Sequence, residues 1–117
     1  MDPFENPETE ADNEIAWVDQ LRKAAHLRLG SFDLTVKELA SDMTMSERSF
    51  FRKVKELTGL TPARYVSNER FQRALLLLQT KKVKSLKQLS YKVGFRQVNH
   101  FSKKFKEKFG KSPTDYL

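Results

Sequence analysis

Basic side chains recur at helical spacing in the segment Ser46–Thr58. Because a helix turns by about 100° per residue, Arg48, Arg52 and Lys55 would share one face there. Phe50 would point to the opposite side, where a core would cover it. Arg and Lys side chains can donate hydrogen bonds to guanine acceptors or to phosphate oxygens. The segment therefore carries the donors that a helix needs to bind nucleic acid.

A second segment, Val98–Phe109, repeats this arrangement. Asn99, Lys103 and Lys106 would share the face opposite Phe101. An Asn side chain can pair with adenine through two hydrogen bonds, and a Lys ammonium can reach guanine or phosphate. Two such helices in one chain favour a binding role over a merely solvated face.

Three positions border these faces: Phe51, Val98 and Ser102. An exposed Phe51 either contacts a thymine methyl group or packs against the first helix, and the sequence leaves both open. Hydroxyl groups and free amides at helix starts suit phosphate oxygens. The predicted phosphate contacts are Thr35, Ser46, Lys55, Ser85, Arg96 and Lys106.

Both segments belong to a longer repeat. FFRKVKELTGLTPARYV, which starts at Phe50, and FSKKFKEKFGKSPTDYL, which starts at Phe101, share seven identical residues at an offset of 51. Each copy follows a short helix, with a hydroxyl cap at Thr35 or Ser85 and a Glu or Gln three residues later, and then a tight turn. A glycine ends each long helix, and a Thr-Pro or Ser-Pro pair begins another. This layout is a helix-turn-helix, twice.

The other elements complete an all-α fold, since no alternating strand pattern occurs. A first helix is predicted at Glu14–Leu29 with Asp12 or Asn13 as its cap, and residues 1–13 as a disordered acidic tail or linker remnant. An apolar stripe of Ile15, Val18, Leu21, Ala25 and Leu29 would bury this helix. About seven helices result. Within the domain at 14–117, the parts are a helix-turn-helix at about 35–58, a linker helix at about 62–79 and a helix-turn-helix at about 85–109.

Charge points to a polyanionic partner. Residues 1–14 contain six acids and no Lys or Arg, so the remaining chain carries 22 basic against 9 acidic residues, a net charge of +13. Within Lys81–Lys111 there are eleven Lys or Arg and one acid, Glu107. Nucleic acid is the first candidate and an anionic membrane the second, and the two basic helix faces favour double-stranded DNA. The alternatives are a non-specific basic helical module that binds RNA or an anionic membrane, and a protein-interaction domain.

Several classes of function find no support in the sequence. The chain has no cysteine, two histidines and no phosphate-binding glycine loop. Its longest apolar run, Ala74–Leu78, is too short to span a membrane. We therefore expect a protein that is not an enzyme and holds no cofactor or metal.

Two sets of residues resemble the DNA-binding domain of the AraC/XylS family of bacterial transcription regulators. The first runs from Gly94-Phe95 through Phe101-Ser-Lys-Lys-Phe105 to Phe109-Gly110-Lys-Ser-Pro113-Thr-Asp-Tyr116, and the second is Arg70-Phe71-x-x-Ala74-x-x-Leu77-Leu78. The resemblance covers roughly Trp17 to Leu117. It implies two helix-turn-helix units whose recognition helices enter successive major-groove segments. The implied base-reading residues are Arg48, Phe51, Arg52, Val98, Asn99, Ser102 and Lys103.

The resemblance also implies a biological setting. Such domains are usually the C-terminal output of a longer regulator with a ligand-sensing or two-component region, act on double-stranded DNA and RNA polymerase, and work in the bacterial cytoplasm at the nucleoid. Any oligomerisation would use regions outside this chain. Thr44 departs from the family pattern, since a turn glycine is common there, and it predicts a looser first turn.

Overall fold

The computed structural model describes residues 9–117, which form six α-helices and a final turn of 3-10 helix without any strand. The helices are α1 (Glu10–Arg28), α2 (Val36–Asp42), α3 (Glu47–Thr58), α4 (Pro62–Gln79), α5 (Leu86–Lys92) and α6 (Val98–Phe109). The 3-10 turn spans Pro113–Tyr116. The predicted all-α fold, with a helix-turn-helix on each side of a long linker helix, is confirmed.

Helix α1 begins four residues earlier than the sequence predicted. The Thr9 hydroxyl accepts a hydrogen bond from the Asp12 amide (3.0 Å), and the Asp12 carboxylate accepts one from the Thr9 amide (3.4 Å). This reciprocal pair is a capping box, so the cap is Thr9 and the prediction of Asp12 or Asn13 was wrong. Residues 10–13 therefore belong to the helix, and the rest of the predicted tail, residues 1–8, lies outside the described residues.

The two short helices, α2 and α5, form one of the two hydrogen bonds of each predicted capping box. The hydroxyls of Thr35 and Ser85 accept hydrogen bonds from the amides of Glu38 and Gln88, each at 3.1 Å. The return bonds differ from the prediction, because the Thr35 hydroxyl donates to Glu38 (3.2 Å) and the Gln88 side chain accepts from the Lys84 amide (2.8 Å). The hydroxyl caps are confirmed, and the complete capping boxes are not formed.

The two turns of the helix-turn-helix units close in the same way. The amide after Thr44 donates to the Ala40 carbonyl at 2.9 Å, and the amide after Gly94 donates to the Ser90 carbonyl at 2.8 Å. Thr44 adopts a left-handed φ of 55°, close to the 89° of Gly94, so the expected looser first turn was wrong. Ser90 is fully buried and donates its hydroxyl to the Phe95 carbonyl (2.7 Å), which satisfies a polar group inside the core.

Buried side chains form two separate cores, one for each unit. Core one consists of Leu21, Ala25, Leu29, Leu39, Ala40, Phe50, Val54, Tyr65 and Val66. Core two consists of Phe71, Ala74, Leu77, Leu78, Val83, Leu89, Val93, Phe101 and Phe105. The C-terminal part of the predicted α1 stripe reaches core one, whereas Ile15 at its other end is 69% exposed.

Helix α4 joins the two cores. Its first half gives Tyr65 and Val66 to core one, and its second half gives Phe71, Ala74, Leu77 and Leu78 to core two. Thr61 caps the helix and Pro62 occupies its first turn, as predicted. At about 1.5 Å per residue, a helix of this length spans about 27 Å. Helices α3 and α6 therefore pack near opposite ends of one continuous helix.

Candidate nucleic-acid interface

Helix α3 lies on core one through two buried side chains. Phe50 and Val54 have no exposed surface, and the Trp17 ring of α1 lies 6.3 Å from the Phe50 ring, centroid to centroid. The helix begins after Ser46, whose hydroxyl accepts from the Ser49 amide (3.2 Å). Its remaining side faces outward, and it carries Arg48, Arg52 and Lys55, all exposed as their spacing predicted.

Helix α6 is held by an aromatic cluster in core two. The Phe101 ring stacks against Phe71 and Phe95 with centroid distances of 5.8 and 5.0 Å, and it contacts Phe105 at 6.0 Å. Aromatic pairs at these distances add to the free energy of burial and restrict how the helix can rotate. The outward side again matches the prediction, with Asn99, Lys103 and Lys106 exposed.

The outward donors have almost no partners inside the protein. Among residues 9–117, no hydrogen bond or ion pair involves the side chains of Arg48, Arg52, Asn99, Lys103 or Lys106, and the Lys55 side chain makes one long bond to the Gly59 carbonyl (3.4 Å). The lysines on the sides of α6 differ, since Lys104 pairs with Glu107 (3.4 Å) and Lys108 donates to Asn68 (2.6 Å). The outward groups are thus available to an external ligand.

The bordering positions divide into one exposed and two half-buried residues. Phe51 is 48% exposed and is absent from core one, where Phe50 rather than Phe51 meets the α1 aromatic ring. The exposure favours the outward alternative that the sequence left open. Val98 and Ser102 are half-buried at the start and flank of α6.

The predicted phosphate contacts are not equally available. The Ser46 and Ser85 hydroxyls accept amide hydrogen bonds and retain their own protons for a further acceptor. The Thr35 hydroxyl instead donates a hydrogen bond to the Glu38 carboxylate, and Arg96 pairs with Asp33 (3.2 Å). Those two side chains are engaged within the protein, so the structure gives them less support as phosphate contacts.

The start of α6 differs from that of α3 because of one extra residue after the turn. Gln97 occupies the cap position and makes no side-chain hydrogen bond to the helix. The first-turn amides of α6 consequently lack the hydroxyl acceptor that Ser46 provides in α3. His100, in this first turn, is exposed.

Acidic residues lie beside the outward face of α3. A groove between the start of α1 and α3 is lined by Arg52 and Lys53 together with Glu10, Glu14 and Glu56. By contrast, α6 contains Glu107 as its one acid. The positive potential is therefore expected to be weaker at α3 than at α6.

Several titratable groups away from the outward faces pair with one another, whereas the Tyr65 hydroxyl and the Arg70 Nε are buried without a hydrogen-bond partner among residues 9–117. Arg28 of α1 donates to Glu38 (2.7 Å) and, through two nitrogens, to Asp42 of α2, and this hydrogen bonding lowers the pKa of the Asp42 carboxyl. Burial raises the pKa of Tyr65 to about 12, and His26 pairs with Glu69 across α1 and α4 (2.9 Å). None of these contacts brings a nucleophile next to a base.

Two further classes of site are absent from the part of the chain that the structure describes. Residues 9–117 contain no group of three or more His, Cys, Asp or Glu that could hold a metal ion. No helix in the same range is both long enough and apolar enough to cross a membrane.

Known proteins resemble this chain in both sequence and fold. A helix-turn-helix domain family matches residues 39–117. "Histidine kinase P4" of Formosa agariphila is 31% identical over 92% of this chain and 8% of its own length. The "Msm operon regulatory protein" of Streptococcus mutans is 32% identical over 97% of this chain and 40% of its own length. The chain thus spans less than half of either relative.

Solved structures share the arrangement of the two units. The DNA-binding domain of AdpA, solved in complex with a target DNA, has a TM-score of 0.69 at 28% identity and covers 83% of this chain and 88% of its own. A transcriptional regulator with an AraC-type DNA-binding domain from Chromobacterium violaceum has a TM-score of 0.70 at 26% identity, over 86% of this chain and 92% of its own. With two helix-turn-helix units on one linker helix, the chain belongs to the AraC-type family of helix-turn-helix DNA-binding domains.

Proposed function

We propose that α3 and α6 read base edges in two successive major-groove segments of double-stranded DNA. The observation that carries this proposal is the pair of equivalent outward faces, whose side-chain donors, apart from the long Lys55–Gly59 bond, lack partners among residues 9–117. At the offset of 51, Arg48 corresponds to Asn99 and Arg52 to Lys103. Equivalent segments of one groove recur about every 34 Å along DNA. Two linked units let a single chain address both.

Each recognition helix has its own set of contacts in this proposal. Arg48, Phe51 and Arg52 read bases from α3, with the Phe51 ring against a thymine methyl group. The corresponding residues of α6 are Val98, Asn99, Ser102 and Lys103. Ser46, Lys55, Ser85 and Lys106 bind phosphate oxygens, with smaller roles for Thr35 and Arg96, which are already engaged within the protein.

The chain acts, in this proposal, as the DNA-binding part of a longer bacterial transcription regulator. Two observations support this setting: the chain spans only part of its curated relatives, and those relatives include a histidine kinase and an operon regulator by name. Regulation would then place the protein at the nucleoid in the cytoplasm, where it meets RNA polymerase. Signal sensing and oligomerisation would belong to the remaining parts of such a regulator.

Selection from a random double-stranded DNA library tests base reading directly. The expected product is a motif with two halves about one helical turn apart, bound with steep salt dependence. Equal, salt-sensitive binding to every sequence would contradict base reading and would favour the basic module that binds RNA or membranes. If the chain binds none of the DNA sequences, a protein-interaction role is favoured.

One pair of α6 variants then separates base reading from phosphate binding. Lys103→Ala removes an outward ammonium, whereas Lys104→Ala removes the same charge from the side of the helix that pairs with Glu107. We expect Lys103→Ala to relax the preference at one base position by about 1–3 kcal/mol, and Lys104→Ala to leave the preference unchanged. If Lys103→Ala weakens all sequences alike and flattens the salt slope, Lys103 binds phosphate only.

A further inference from the structure

A second connection, besides α4, joins the two helix-turn-helix units. It is formed by the α1–α2 loop of the first unit, residues 29–33, and by the end of α5 and the turn that follows it in the second, residues 91–96. We call these residues, together with Arg70 of α4, the inter-unit clasp. Leu29 also belongs to core one, and Val93 and Phe95 contribute to core two, whereas Phe32, Asp33, Tyr91 and Arg96 belong to neither core.

The backbones of the two units meet at Gly94. A Cβ atom added to this glycine would lie 2.0 Å from the Leu29 carbonyl oxygen, which is far inside van der Waals contact. The same atom would lie 3.0 Å from the Arg70 guanidinium. The turn of the second unit therefore packs directly against the end of α1.

Arg70 links all three parts of the clasp. Its Nη2 donates to the Ser31 carbonyl at 2.8 Å, which ties α4 to the loop of the first unit. Its guanidinium carbon lies 5.7 Å from the Phe95 ring centroid, in the second unit. A guanidinium that bonds one unit and lies over an aromatic ring of the other holds both to the linker.

Side chains close the clasp at the surface. The Phe32 and Tyr91 rings meet edge to face, with centroids 5.4 Å apart and planes at 77°. The Arg96 guanidinium lies 5.0 Å from the Phe32 ring centroid and pairs with Asp33 at 3.2 Å. Each contact joins a residue of the first-unit loop to Tyr91 at the end of α5 or to Arg96 in the turn after it.

Two bodies connected by one helix can bend and twist about it, and a second connection beside the helix restricts both motions. That restriction matters for DNA, because consecutive base pairs advance by about 3.4 Å along the helix axis and rotate by roughly 35°. We propose that the inter-unit clasp fixes the spacing and phase of the two half-sites that this chain selects. Its members are thus positioning residues that act through α3 and α6, and the proposal rests on the proposed reading of two groove segments.

The test removes clasp side chains of the first unit only, so that the second unit and its helix α6 keep their sequence. The variant Phe32→Ala with Asp33→Ala breaks the surface contacts and leaves Arg96 in place. The control, Ile15→Ala with Asp19→Ala, makes the same change in charge and removes an exposed apolar side chain of α1. Tyr91→Leu breaks the aromatic contact from the second unit, in case the double variant does not fold.

The first readout is binding to sites whose half-sites are moved apart or together by one or two base pairs. For the parent and the control, we expect a loss of about tenfold or more at each altered spacing, comparable to a mismatched base pair. For the clasp variants, we expect this loss to shrink while the preference within each half-site is retained. Equal weakening at every spacing would instead overturn the proposal, since it would show a contribution to affinity or stability alone.

The second readout needs no DNA. The chain has no cysteine, so Glu56→Cys with Glu107→Cys places two spin labels at equivalent positions of the repeat, outside the proposed base-reading and phosphate-binding sets. We expect a single narrow distance distribution in the parent and a broader one in the clasp variants. If the clasp variants show the same distance distribution and the same spacing preference as the parent, the proposal is wrong. A parent chain that prefers certain half-sites yet tolerates every spacing would also overturn it, whereas a parent without base preference would refute the proposed function itself.

Discussion

Gly94→Ala should destabilise the fold far more than the same substitution at the other left-handed glycines. Gly94 has a φ of 89° and Gly110 a φ of 81°, so an alanine at either position adopts a backbone conformation that L-residues disfavour by about 1–2 kcal/mol. An added Cβ at Gly110 has nothing within 4 Å. Gly110→Ala therefore measures the backbone contribution by itself.

The added cost at Gly94 comes from contact between the units. The Cβ atom would lie 2.0 Å from the Leu29 carbonyl, which is backbone and cannot rotate away, so the end of α1 must shift. Inserting a methyl group into a packed site typically costs about 1–3 kcal/mol. We expect a total of about 2–5 kcal/mol for Gly94→Ala, against about 1–2 kcal/mol for Gly110→Ala.

Urea unfolding followed by far-ultraviolet circular dichroism measures both variants in the same way. The difference between their unfolding free energies isolates the inter-unit contact, provided that the m-values agree. Gly59→Ala is a second control, with a φ of 76° and nothing within 4 Å of its added Cβ. Equal losses for all three variants would refute the close packing of the turn against α1.

Three further substitutions test the core, an ion pair and the first turn. Phe105→Ala should cost about 3–5 kcal/mol in unfolding free energy, because the ring is fully buried in core two. Asp42→Asn should reduce the loss of unfolding free energy as the pH falls into the acid range. Arg28 lowers the pKa of Asp42, so the stabilisation from this pair is present above the ordinary pKa of 3.8 and is lost as pH falls through the folded-state pKa. Thr44→Gly should stabilise the fold by about 1 kcal/mol, since it relieves a left-handed φ at a residue with a side chain.

For each of these three substitutions, one result would contradict the prediction. A Phe105→Ala variant as stable as the parent would contradict the core assignment. Identical acid unfolding of the parent and Asp42→Asn would mean that the Arg28 pair adds nothing in solution. A Thr44→Gly variant that is less stable would show that the hydroxyl bond to the Met43 carbonyl (2.7 Å) outweighs the backbone strain.

The sequence by itself determined the repeat and the outward faces of its helices. Helical periodicity fixes which residues lie opposite Phe50 and Phe101, whatever the rest of the chain does. The exposed positions of Arg48, Arg52, Asn99 and Lys103 follow from that local rule. The glycines and prolines at the helix ends predicted the bounds of α3, α4 and α6 to within one or two residues.

Local signals were less decisive where two patterns competed. Thr9 begins a Thr-x-x-Asp capping box, a local signal for the start of α1 that the prediction of Asp12 or Asn13 did not use. The turn at Thr44 was expected to be looser because a glycine is common at this position in the family. The bond from the following amide to Ala40 holds it closed, and the packing of core one outweighs the strain.

Only the tertiary structure decided how the two units are joined. Periodicity cannot show that Arg70 bonds Ser31, 39 positions away, or that the exposed Arg96 pairs with Asp33 of the other unit. Such contacts depend on the angle at which two packed cores meet along α4, and this angle is set by the side chains of both cores together. The sequence thus determined which helix faces carry the donors, and the packing of the cores determined which donors have no partner among residues 9–117.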